Sequence, residues 1–153
     1  PIWIAGRREV AMKRAAKFGD GWLPYFYSPK RYKNSVNKIT GFAKELGRDL
    51  SGFQWGLFPY VAIANTVDEA ANIAAEQLGG QYLYGGEFID IVRKYCILGS
   101  ANQCIDRLIE YVDAGARDII FSLVCRPEDK NRQLKVIMED IVPGIKDRVM
   151  TGS

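Results

Sequence analysis

Short apolar runs alternate with stretches whose apolar residues recur every three or four positions, and that alternation predicts a repeated strand–helix unit. Ile2-Trp3-Ile4-Ala5, closed by Gly6, reads as a fully buried parallel strand. Glu9 to Phe18 follows as a helix with Val10, Met12, Ala15, Ala16 and Phe18 apolar, stopped at Gly19. Gly21 to Phe26 is the second strand. Ser28 then caps a helix with Pro29 at its first position. Its apolar face is Tyr32, Val36, Ile39, Ala43 and Leu46, and Gly47 ends it.

Phe58 to Ala64 is the third strand, with a start as early as Phe53. Thr66 and Glu69 have the spacing of a capping box, opening a helix through Ala70, Ile73, Ala74 and Leu78 that Gly79-Gly80 closes. The stretch from Gln81 to Ile97 is looser, with Phe88, Ile89 and Val92 predicting a short extra helix. Ser100 and Gln103 form a second capping box, for a helix lined by Cys104, Leu108 and Val112 and ended near Gly115. Ile119 to Val124 is the fourth strand. A last helix runs from about Glu128 to Ile141, where Pro143 interrupts it.

Strands joined by helix-length crossovers imply a parallel sheet with right-handed connections. No linker or low-complexity tract divides the chain, so it reads as one unit. Two architectures use four such repeats. A doubly wound sheet stands alone, whereas half of a (β/α)8 barrel leaves its first and last strands with unpaired backbone. The chain starts directly on a strand, which suggests a piece of something longer.

Composition narrows the function. The chain has 153 residues, 48% hydrophobic and 25% charged, with a formal charge of +3. Cations and anions are interspersed, which disfavours nucleic acid as a partner. No apolar run approaches the roughly 20 residues of a membrane span, and no basic leader precedes an apolar segment. The expected setting is cytoplasmic. Cys96, Cys104 and Cys125 form no ligand-spaced pair and histidine is absent, so no metal site is expected. Catalysis by Ser-His-Asp or Cys-His is excluded within this chain. Any chemistry must come from a cofactor or from another polypeptide.

Two blocks resemble one family. Pro1 to Gly6, Ala11, Arg14-Ala15-Ala16 and Gly19-Asp20-Gly21-Trp22-Leu23-Pro24 look like the fifth strand, fifth helix and sixth strand of luciferase-like monooxygenases. Gly99-Ser100, Gln103-Cys104-Ile105, Leu108 and Tyr111 to Ala116 resemble that family's approach to its eighth strand. The resemblance spans nearly the whole chain. It implies strands five to eight of a TIM (β/α)8 barrel, an oxidoreductase or monooxygenase using FMN or the deazaflavin F420, and a small-molecule substrate. It also implies that the loop after strand five and the end of strand six hold the cofactor phosphate. Carried over by position, those residues are Ala5, Gly6, Arg7 and Arg8, then Pro24 and Tyr25. The chemistry agrees: glycine admits an anion close to the backbone, a helix start presents N–H groups, and arginine adds paired donors. Many relatives carry Gly-Gly-Ser or Gly-Gly-Pro where this chain has Ala5-Gly6-Arg7.

Each feature also has a plainer reading. Arg7 and Arg8 could be solvated charges, although cations at a helix start oppose its dipole, which favours an anion-binding role. Gly19-Asp20-Gly21 reads better as a helix stop and turn than as a catalytic carboxylate. Tyr25, Phe26 and Tyr27 either wall a ring system or pack in the core. Arg126-Pro127-Glu128-Asp129 reads as a helix start, and Asn65 as a turn. Tyr82, Tyr84 and Gly85-Gly86 lie where the family places variable substrate-lid material. No catalytic residue can be named. The expectation is an enzyme fragment, inactive alone and completed by its N-terminal half. The rival is a homodimer of half-barrels with a vestigial anion site. A flavodoxin-like module is disfavoured, because Gly6-Arg7-Arg8-Glu9 lacks the Ser or Thr hydroxyls it needs.

Overall fold

All strand pairs among the described residues are parallel, as the crossover spacing predicts. The computed structural model describes residues 1–79 and 88–151. Its elements in chain order are β1 (Trp3–Ala5), α1 (Glu9–Phe18), β2 (Gly21–Leu23), α2 (Pro29–Glu45), β3 (Gln54–Leu57), β4 (Tyr60–Ile63), α3 (Val67–Gly79), α4 (Phe88–Tyr95), β5 (Ile97–Gly99), α5 (Ala101–Asp113), β6 (Asp118–Ile119) and β7 (Ser122–Leu123). A 3-10 turn (Pro127–Asp129), α6 (Lys130–Val136), a π-turn (Ile137–Ile141) and α7 (Val142–Thr151) complete it. They form two compact units, Pro1–Phe58 with Tyr111–Ile120, and Pro59–Glu110 with Phe121–Ser153.

The first unit holds a four-stranded sheet in the order β1-β2-β3-β6. Its strands follow chain order with β1 at an edge, the order expected of half a (β/α)8 barrel. A doubly wound sheet would place its first strand inside. The edge position corrects one expectation. Ile2 is 61% exposed and Ala5 is also exposed, so among the described residues this run has a strand neighbour on one side only and is not fully buried. Gly56 of β3 faces the Trp3 indole, and a Cβ there would meet that ring at 2.5 Å. Trp3 Nε1 donates to Gln54 Oε1 at 2.7 Å.

Packing in this unit centres on aromatic residues. Trp22 is fully buried and meets Tyr27 edge-on, with centroids 5.5 Å apart, and Tyr32 at 5.1 Å. The polar ends of these rings are satisfied. Tyr32 donates to Gly56 O at 2.8 Å, and Tyr111 Oη donates to Tyr27 O. The Ser28 hydroxyl caps α2 by accepting from Arg31 N. Leu46, expected on the inner face of α2, is instead 54% exposed.

The second unit holds the sheet β5-β4-β7, with Val61, Ala62 and Ile63 of the middle strand buried. Both capping boxes form in modified or full detail. Glu69 N donates to Thr66 Oγ1, while the Glu69 carboxylate accepts from Asn65 N, one residue before the cap. Gln103 accepts from Ser100 N at 2.9 Å, the standard reciprocal bond.

Five sequence expectations are corrected. The run 58–64 holds one strand, β4, but the earlier start near Phe53 belongs to a separate strand, β3, with Phe58-Pro59 between them, because proline has no N–H for a ladder bond. The run 119–124 divides into β6 and β7. The second strand ends at Leu23, not Phe26, and Ile97, at the end of the looser stretch, opens a further strand, β5. The last helix is not stopped at Pro143 but continues to Thr151. Val142 N bonds to Ile137 O, a widened turn that accommodates the proline's missing donor and its ring.

Candidate functional site

The loop between β1 and α1 turns on a glycine. Gly6 has φ +124°, a conformation L residues rarely adopt, and a Cβ there would lie 2.7 Å from Ala11 Cβ. Its carbonyl accepts from the buried Trp22 indole at 2.9 Å, fixing the loop to β2. Arg8 is the N-cap of α1 with extended backbone; its side chain makes no cap bond, while its carbonyl accepts from Ala11 N at 2.9 Å.

The expected site residues separate into three groups. Arg7 and Tyr25 come together, with the guanidinium 5.0 Å from the ring centroid. Arg8 and Ala5 are exposed at the loop. Pro24 is fully buried, and its carbonyl accepts from Phe58 N, so its role is to set the chain path. Phe26 and Tyr27 are core residues; Tyr25 alone of that trio is half-exposed. Phe26 has φ +47°, a strained backbone for a bulky side chain, immediately after the strand end.

Sequence reasoning missed Arg31, on the first turn of α2. Its Nη2 donates to Arg7 O at 3.0 Å, Tyr27 Oη donates to the same carbonyl at 3.2 Å, and the Arg31 guanidinium lies 4.5 Å from the Tyr27 centroid. The signal was available. Ser28-Pro29 marks a helix start, and a cation three residues later opposes the dipole as Arg7 and Arg8 do.

The remaining candidates take their plainer roles. Asp20 Oδ2 accepts from Ile2 N at 2.7 Å in the turn before β2. Asn65 and Arg126 both line a pocket of about 440 Å3 in the second unit, with Glu69, Asp129, Arg132 and Asp140. Its arginines face carboxylates: Arg132 pairs with Asp129 at 2.9 Å, and Arg126 with Glu76 at 3.8 Å. Tyr82, Tyr84, Gly85 and Gly86 lie outside the described residues. Burial pushes the Cys96 and Cys104 thiols up to about 12, which leaves them unreactive at neutral pH. Among the described residues, no helix is long and apolar enough to cross a membrane.

Comparison with known proteins agrees with the fold. A search of curated protein sequences gave no match. An F420-dependent secondary alcohol dehydrogenase in complex with an F420-acetone adduct matches with a TM-score of 0.76 and 18% identity, over 95% of this chain and 48% of its own. The coenzyme F420-dependent tetrahydromethanopterin reductase of Methanopyrus kandleri matches with a TM-score of 0.71 and 20% identity, over 95% and 51%. A riboflavin lyase with modified FMN and riboflavin matches with a TM-score of 0.65 and 13% identity, over 95% and 42%. The chain thus spans about half the length of the solved structures it resembles. Residues 1–118 match the family model of the luciferase-like monooxygenases, and the chain belongs to that family.

Proposed function

We propose that this chain is the C-terminal half-barrel, strands five to eight, of an oxidoreductase or monooxygenase that uses FMN or F420, and that it holds the cofactor phosphate. The observation that carries the proposal is the Gly6 loop. It combines positive φ, no room for a Cβ, two following arginines and the start of α1. That donor set fits a phosphate ester. Gly6 and Arg8 bind it, and Arg7 orients the ring of Tyr25 beside it. Arg31 and Tyr27 hold the Arg7 carbonyl away, so that it does not repel an anion. A bound flavin or deazaflavin would supply the redox chemistry; this chain's contribution is binding and orientation.

The catalytic groups and the ring pocket then belong to the N-terminal half. The outer edge of β1 and the edge strand β6 are where that half would add strands, and Ile2 and Ile120, 61% and 44% exposed, support this reading. A second copy could cover the same edges by a two-fold pairing. Free buried thiols suit a reducing, cytoplasmic setting.

Titrating the chain with FMN and with F420, and following cofactor fluorescence, tests the site. Weak binding of at least one cofactor, lost in Arg8→Ala and without turnover, is expected. No binding of either cofactor, or unaltered binding in Arg8→Ala, refutes it. Light scattering separates the partner readings: a monomer excludes the paired half-barrels.

A further inference from the structure

The second unit orders its strands differently from the first. Its first strand, β4, lies in the middle of the sheet β5-β4-β7, so the chain leaves β4 towards one side and returns past it to reach β7. Where successive connections run in opposite directions, a crevice forms outside the carboxyl ends of the strands, and open α/β sheets bind ligands there. The pocket of about 440 Å3 is at those ends: Ile63 finishes β4, Ser100 follows β5, and Arg126 comes shortly after β7. Its size suits a small molecule. Ile63, Ile73 and Val136 give it an apolar lining, and Ile63 is buried.

Its polar lining pairs off internally and leaves a remainder. Arg132 is held by Asp129 at 2.9 Å, and the Glu69 carboxylate accepts from Asn65 N at 3.2 Å. Arg126 reaches Glu76 only at 3.8 Å, and Glu76 does not line the pocket. Asp140 and the Asn65 side chain make no hydrogen bond or ion pair among the described residues. Asp140 belongs to the π-turn Ile137–Ile141, a widened geometry frequent at functional sites. The remainder is therefore one loosely held guanidinium, one carboxylate and one amide.

We propose that this crevice binds a zwitterionic α-amino acid with an apolar side chain. Arg126 takes the carboxylate, Asp140 takes the ammonium, and the Asn65 amide serves either end. Ile63, Ile73 and Val136 receive the side chain. A ligand with only negative charge meets the unpaired Asp140. One with only positive charge meets Arg126 and the starts of α3 and α5, whose N–H ends disfavour cations. Both charges on one molecule satisfy both groups. None of these residues belongs to the Gly6 loop, so the proposal does not rest on the cofactor reading.

Calorimetry on the 153-residue chain, without FMN or F420, tests this with L-leucine and L-phenylalanine. Each is compared with its analogue lacking the carboxylate (isopentylamine, phenethylamine) and its analogue lacking the ammonium (isocaproate, hydrocinnamate). At least one amino acid should bind about tenfold more tightly than either of its analogues. Asp140→Asn should abolish that advantage over the carboxylate analogue, whose own affinity holds or rises. Arg126→Gln should abolish the advantage over the amine in the same way. Both side chains are exposed, so neither substitution disturbs the core. No binding of either amino acid, a singly charged analogue that binds as tightly, or unaltered amino-acid binding in either variant overturns the proposal. Amino-acid binding by a chain that takes up neither FMN nor F420 would leave this crevice standing and remove the cofactor reading; cofactor binding without amino-acid binding would do the reverse.

Discussion

Gln133 hydrogen-bonds both backbone groups of Ile63, donating from Nε2 to its carbonyl at 3.0 Å and accepting from its N–H at 3.3 Å. Both residues are buried, and 70 positions separate them. One side chain thus does for the end of β4 what a neighbouring strand does along its length. Gln133→Leu keeps the volume and strands both groups. It should cost about 2 kcal/mol or more, seen as a lower urea midpoint. An unchanged midpoint would refute the pairing's role.

Gly6→Ala should destabilise by about 1–3 kcal/mol, because the new Cβ meets Ala11 in a backbone conformation that alanine resists. Affinity for inorganic phosphate should fall with it. Calorimetry and thermal unfolding measured side by side separate the two losses.

Arg48 ends α1 from a distance. Its guanidinium donates to the carbonyls of Ala15, Ala16 and Gly19, at 3.3, 3.0 and 2.5 Å. Arg48→Met should cost about 1–3 kcal/mol, and Arg48→Lys should recover only part, since one ammonium cannot reproduce the planar fork. Full recovery in the lysine variant would argue for charge alone.

The buried thiols make stability fall in alkali. Cys96 and Cys104 are pushed by burial from 9.0 to about 12, so folding holds them protonated. Below pH 9 they are neutral in both states. As pH rises from 9 towards 12, only the unfolded chain ionises them, and stability declines. A Cys96→Ala, Cys104→Ala double variant, compared with the unmodified chain across that window, should show a shallower loss. Equal slopes would exclude the thiols as the cause.

The helices were legible because their signals are local. Ser28-Pro29, Thr66 with Glu69, and Ser100 with Gln103 each mark a start within four residues, and the structure places helices there. Strand limits depend on distant partners. Nothing near Phe58-Pro59 reveals that β3 pairs with β2 and β6 while β4 pairs with β5 and β7. Ile97-Leu98-Gly99 is too short to show a period, and only its pairing with residues 61–63 makes it a strand.

The same division runs through the site. Gly6, Arg7 and Arg8 form a contiguous motif and could be read directly. The burial of Pro24 and the Arg31 contact with the Arg7 carbonyl both need α2 laid beside α1. Helical spacing shows which residues share a face. It cannot show which neighbouring helix they meet.

The Trp3 indole, laid across Gly21 and Gly56 and anchored by Gln54, sits on the outermost strand of its sheet. Any polypeptide that hydrogen-bonds along that margin must dehydrate this indole further, and its emission maximum should move to the blue. The molecule therefore contains its own optical probe for barrel completion, one that needs neither label nor bound coenzyme.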